Sequence, residues 1–157
     1  MIAILAIDPG PTESAWLVYG GAAPQRFAKE PNEDLLNRLR GTRDQLTLVI
    51  EQIASYGMPV GAEVFETVYW SGRFAEAVYP LEVGRLPRKA IVTHLCGSAR
   101  AKDPNVRQAL IDRFGGPSAV GRKAQPGPLY GISGDVWSAL AVAVTWSDLH
   151  GNDGGAR

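Results

Sequence analysis

Residues 1–8 are a nearly continuous apolar run, rich in isoleucine, that stops at Asp8-Pro9-Gly10-Pro11. Such a run fits a central strand covered on both faces. Proline then removes a ladder donor, and glycine permits a tight turn. Residues 14–19 read as a second strand, returning through Gly20-Gly21 to a weak third one near residues 25–28. Two hairpins therefore open a sheet. Pro31-Asn32-Glu33-Asp34 starts a helix: Asn32 is the expected cap, and the two acids suit the positive end of the helix dipole. Leu35, Leu36 and Leu39 form its apolar stripe, residues 46–53 read as another strand, and residues 54–61 as a loop.

Residues 62–79 carry more apolar surface than one helix face needs. Val64, Phe65, Val68, Ala75 and Tyr79 cluster on one side of the wheel, the side expected to pack on the sheet. Trp70 and Phe74, spaced i and i+4, project from another side. They need a different cover, either the segment after Pro80 or a second subunit. Residues 81–86 read as an edge strand, 88–95 as a helical or mixed segment, and 103–114 as a helix stopped by Gly115-Gly116-Pro117. A Gly/Pro-rich loop over residues 124–133 precedes a strongly apolar final helix, 135–149. Strands first, then alternating helix and strand, predict a mixed α/β sheet with helices on its faces.

Composition narrows the class. With 157 residues, 45% apolar and 20% charged, the chain suits one domain with a real core, here residues 1–150, and a flexible tail over 151–157. It does not suit a disordered chain, a collagen-like repeat or a disulfide scaffold. The single cysteine, Cys96, has no partner for an internal disulfide. The longest apolar runs are too short for a bilayer span, and the N-terminus lacks a basic n-region. A soluble, cytoplasmic protein without a membrane partner is the expectation.

Net charge is zero but unevenly spread. Residues 85–123 hold nine Lys or Arg against Asp103 and Asp112, so that segment is +7 and the remainder −7. One basic region in a neutral chain suits a polyanion binder, or simply a solvated surface.

Three carboxylates stand out. Asp8 ends a strand that is otherwise apolar, although Asp before Pro-Gly is also a common turn former. Glu51 lies within an apolar strand and shares a face with Val49 and Thr47. A buried carboxylate must be protonated, paired with a cation or bound to metal, because desolvation costs several kcal/mol. Asp135 begins the final helix, where the dipole alone would favour it and Ser133 is available as a cap. If neighbouring strands join Asp8 to Glu51, the final helix can add Asp135, and hard divalent cations take such oxygen ligands. Glu63 and Glu66 read as a solvated helix face, Cys96 as a small apolar residue, and His94 and His150 lack zinc-like spacing.

Ile4-Leu5-Ala6-Ile7-Asp8-Pro9-Gly10 resembles the first strand of the RuvC-type Holliday junction resolvases, members of the ribonuclease H-like superfamily. Val49-Ile50-Glu51-Gln52-Ile53 resembles the family's Ile-Glu-Gln strand. Residues 135–143 resemble its closing Asp-x-x-Asp-Ala-Leu-Ala helix. Gly97-Ser98-Ala99-Arg100-Ala101-Lys102 is similar to its Gly-rich, Lys-bearing segment. The four occur in the family's order across residues 2–147, and the 54–58 loop looks most like the short phage- and prophage-encoded branch.

The resemblance implies a ribonuclease H-like mixed sheet with helices on both faces, and a homodimeric endonuclease that resolves four-way DNA junctions by paired symmetric nicks. It implies two Mg2+ ions per site, with Mn2+ substituting, held by Asp8, Glu51 and Asp135. Ser138 stands where the family usually has a second helix aspartate; its hydroxyl is the remaining candidate ligand. Lys102 falls one position early and competes with Arg100 for the scissile phosphate, with Arg107 as a further DNA contact. The family's aromatic residue three positions beyond the glutamate is here Ala54. Tyr56 is the nearby alternative for stacking on a base, or packs over its own loop. Trp70 and Phe74 are the expected dimer patch. Two other readings stay open: a nuclease for other branched DNA or RNA–DNA substrates, and a catalytically impaired junction-binding module.

Overall fold

The computed structural model describes residues 2–42 and 45–151, so all of the tail expected over 151–157 except Gly151 lies outside the described residues. In chain order the elements are β1 (Ala3–Asp8), β2 (Glu13–Tyr19), β3 (Pro24–Pro31), α1 (Asn32–Gly41), β4 (Leu46–Gln52), α2 (Ala62–Ala77), β5 (Val83–Pro87), α3 (Arg88–Cys96), α4 (Asp103–Arg113), α5 (Pro117–Val120), β6 (Gly121–Arg122), β7 (Gln125–Pro126) and α6 (Val136–His150). The main sheet has the order β3-β2-β1-β4-β5. The first three strands form an antiparallel meander, while β4 joins β1, and β5 joins β4, in parallel. Parallel neighbours need crossovers, and the helices between them supply these.

Strand parity divides the core in two. Ile4, Ala6, Ala15, Leu17 and Val49 face α6, α3 and α4. Leu5, Ile7, Trp16, Leu48 and Ile50 face α1 and α2. The expected mixed sheet with helices on both faces is therefore present. α6 explains its own composition: every residue from Ala139 to Thr145 is buried, because it lies across β1 and β2 beneath α3 and α4. β3 is longer than its sequence pattern suggests, since an exposed edge strand has no unbroken apolar face to reveal it.

Two expectations are corrected. Asn32 does not cap α1 with its side chain; it is the first helical residue and is 1% exposed. Its Oδ1 accepts from Ser14 Oγ at 2.6 Å, and its Nδ2 donates to the Gly10 carbonyl at 2.9 Å. Gly10 N in turn donates to Ser14 Oγ. This buried network fixes the turn after Asp8. A Cβ on Gly10 would stand 2.3 Å from the Glu13 carbonyl oxygen, so the turn also requires glycine there.

The second correction concerns α2. Trp70 and Phe74 are not a surface patch: with Thr67 they form the face packed on the sheet, and Phe74 is fully buried. Phe65, Val68 and Tyr79, expected against the sheet, are exposed, as is Tyr69. The helix has two apolar stripes, and the larger rings of Trp70 and Phe74 fill the space beside Leu35, Leu36 and Leu39.

Candidate active site

The register of β1 on β4 pairs Ile7 with Ile50, so Asp8 and Glu51 are the next residues on adjacent parallel strands. Both continue the parity of Ala6 and Val49 and face α6. Asp8 lies opposite Ala15, and Ala15 opposite Lys29. One row across the sheet thus reads Glu51, Asp8, Ala15, Lys29, with the alanine leaving open space between acid and base.

Asp8 is half-buried, and its carboxyl is pushed up to about 9. Burial is the largest cause, followed by a hydrogen bond with Glu51 and by the charges of Glu51 and Asp135; Arg88 opposes the shift. A carboxylate this close makes ionisation of Asp8 costly unless a cation lies beside it. Glu51 is 8% exposed and takes the Arg88 guanidinium at 3.7 Å. Arg88 also pairs with Asp103 at the start of α4.

Asp135 occupies the cap position of α6 but makes no side-chain cap hydrogen bond. Its carboxylate instead accepts from Lys29 Nζ at 2.7 Å, across 106 residues of sequence. The Lys29 ammonium is held above its usual range by that bond and by the Asp135 charge. Ser138 is half-buried one helical turn further on. A groove of about 360 Å3 runs over this helix start, with Arg88, Asp103, Arg107, Asp135 and Ser138 in its wall. The Arg107 guanidinium lies 5.1 Å from the centre of the Trp137 ring, beneath the same groove.

The donor chemistry fits a hard divalent cation at the Asp8–Glu51 pair: carboxylate oxygens, excess negative charge and raised proton affinity. Asp135 is directed to Lys29, and among the described residues no three His, Cys, Asp or Glu side chains converge tightly enough to enclose a metal ion. In this arrangement the third carboxylate is held by a cation of the protein itself.

Lys102 immediately precedes α4 and is exposed; its backbone N–H donates to Asn105 Oδ1. Arg100 is exposed on the preceding loop. Tyr56 has φ +50°, is 56% exposed, and its hydroxyl accepts from Lys89 N at the start of α3. It is not packed away over its own loop. Lys29, Arg88 and Asp103 were not singled out from sequence as site residues. Lys29 would be reached by extending the hairpin register from Asp8, but β3 is too polar for that register to be read with assurance.

No protein-family model matches the chain, and no curated protein matches it in sequence. Solved structures do. The Thermus thermophilus RuvC structure superposes with a TM-score of 0.64 over 99% of each chain at 18% identity. The structure of T. thermophilus RuvC in complex with Holliday junction substrate gives 0.60 over 100% of this chain and 99% of that one, at 17% identity. Coverage is end to end, so the likeness is one of whole architecture rather than of a shared motif. The chain has the RuvC fold, an α/β architecture of the ribonuclease H-like type.

Proposed function

We propose that the protein is a divalent-metal-dependent endonuclease that cuts branched DNA, four-way junctions above all, as a homodimer in the cytoplasm. The observation that carries this reading is the placement of Asp8 and Glu51 side by side at the strand ends, with Asp135 beside them on α6. The fold it shares with a protein solved on a Holliday junction agrees with it. Among the described residues no helix is long and apolar enough to cross a membrane.

Asp8 and Glu51, joined by Asp135 and the Ser138 hydroxyl, are the residues that would hold Mg2+ or Mn2+, two ions in all. Bound there, the cations would acidify a water and stabilise the charge that develops on the phosphate. To hold a cation, the Asp8 carboxyl would have to be in its deprotonated form. Arg88 pairs with Glu51 and is anchored by Asp103, an arrangement that would orient Glu51. Arg107, Lys102 and Arg100 offer cations along the α4 side of the groove, where the DNA backbone would run. Tyr56 presents an exposed ring for stacking on an unpaired base.

Two coupled cuts need two sites related by a two-fold axis. The exposed face of α2, with Phe65, Val68 and Tyr69, and Tyr79 in the turn after it, is the apolar surface that would join two copies, in place of Trp70 and Phe74. A labelled four-way junction, incubated with Mg2+ or Mn2+ beside linear duplex, a flap and an RNA–DNA hybrid, tests the reading. Symmetric nicks confined to the junction are expected. Tight junction binding without cutting in either metal would instead identify a binding module, the reading that Ser138 favours.

A further inference from the structure

Lys29 is the residue of the site that its fold position explains least. It stands on an edge strand, 45% exposed, where a lysine normally points into solvent. Here it shares the inward face with Phe27 and Ala15 and reaches Asp135 at 2.7 Å. Ala15 is the reason it can lean inward, because no side chain beyond Cβ separates the Lys29 and Asp8 positions. Glu13, two residues before Ala15, is on the same face and offers a second acceptor beside the first.

We propose that Lys29 is the resident counter-ion of Asp135: it occupies that carboxylate in the metal-free protein, yields it when a divalent cation loads, and then faces the DNA phosphate. This rests on the metal-site reading above and adds a residue and an order of events to it. The physical basis is competition. The ammonium takes one oxygen of the Asp135 carboxylate and cancels its charge, so the lysine weakens metal binding while it holds Asp135. Once displaced, it remains within reach of the groove wall on the Phe27 and Gly131 side, where a second depression of about 460 Å3 opens beside Asp135. A freed cation there adds one phosphate contact on the side of the site opposite Arg88 and Arg107.

The test pairs two readouts that a merely structural role would move together. Calorimetric titration with Mn2+ measures metal affinity for the unmodified protein, Lys29→Met and Lys29→Arg. Fluorescence anisotropy with a four-way junction in Ca2+, over a series of salt concentrations, measures DNA affinity. Lys29→Met is expected to bind Mn2+ roughly three- to tenfold more tightly, because the competing charge is gone. It is expected to bind the junction roughly three- to tenfold more weakly, with a salt slope shallower by about one. Lys29→Arg should follow the unmodified protein in both. Weakening of both affinities, or no change in either, overturns the proposal and leaves the metal site standing. Absence of Mn2+ binding by the unmodified protein would remove the metal site itself.

Discussion

α6 carries an acid–base cluster at each end, and the two behave in opposite ways. At its C-terminal end, Asp148 accepts from His94 Nε2 at 2.7 Å and takes both arms of the Arg113 guanidinium. Burial raises the Asp148 carboxyl, but those bonds more than offset it and hold the group below its usual range. At the N-terminal end, Asp8 is pushed up to about 9 by burial and by neighbouring carboxylates, and the opposing charge of Arg88 does not offset them. One cluster is electrostatically satisfied and ties α3, α4 and α6 together. The other keeps a carboxyl whose burial and acidic neighbours its own cations do not offset. An uncompensated carboxyl beside a groove, held in place by a well-packed sheet, marks a candidate functional site.

The largest separation between the two ends should appear in catalysis. Asp8→Asn is expected to lower junction cleavage by about three orders of magnitude or more while junction binding persists, since the amide keeps the shape and loses the charge. Asp148→Asn should leave cleavage at saturating substrate within about twofold. Single-turnover assays with labelled junction measure both, and loss of cleavage in the Asp148 variant at full folding would erase the distinction.

Stability should invert the order. Asp148→Asn weakens a charge-assisted network and should cost about 1–2 kcal/mol in denaturant unfolding. Asp8→Asn should instead stabilise the metal-free protein near neutral pH, because the amide is spared the proton uptake that burial and the neighbouring Glu51 and Asp135 impose on the carboxyl when the chain folds. The pH dependence carries the same sign. The folded-state carboxyl of Asp8 binds its proton more tightly than the unfolded chain does, so its contribution to stability is full below about 4 and is lost as pH rises toward about 9. The contribution of Asp148 is present above the normal carboxylate range and is lost as pH falls through its depressed value. Metal-free thermal melts across pH should therefore lose a downward slope in Asp8→Asn and an acid-side loss in Asp148→Asn.

Smaller effects sharpen the account of how the site is held. Asn32→Ala should cost about 2 kcal/mol, since it leaves Ser14 and Gly10 unsatisfied inside the protein. Its cleavage should fall more than its junction binding, because the turn after Asp8 loosens. Tyr56→Ala should leave stability unchanged and weaken junction binding by about 1–2 kcal/mol, measured by anisotropy.

The architecture was largely legible because its signals are local and repeated. The apolar run ending at Asp8, the spacing of Val136, Leu140 and Val144 at i, i+4, i+8 in the final helix and the Gly/Pro punctuation all survive without tertiary knowledge. Where two solutions satisfied the same local pattern, tertiary packing decided. α2 has two apolar stripes, and only the shape of the space beside α1 selects Trp70 and Phe74 for burial. Asn32 suits a cap as well as a buried hydrogen-bond hub, and only the approach of Ser14 distinguishes them. The three candidate carboxylates stood out because Glu51 interrupts an apolar segment and Asp8 and Asp135 each border one. Lys29, Arg88 and Asp103 escaped notice because an exposed cation or acid in a polar stretch interrupts nothing, and their partners lie on other elements.

The measurement that tests the central claim most directly is cleavage of a four-way DNA junction in Mg2+ by three proteins side by side: unmodified, Asp8→Asn and Asp148→Asn. The account predicts paired nicks at the junction from the first and third and none from the second, with all three binding the junction. Cleavage by Asp8→Asn at the unmodified rate would contradict it.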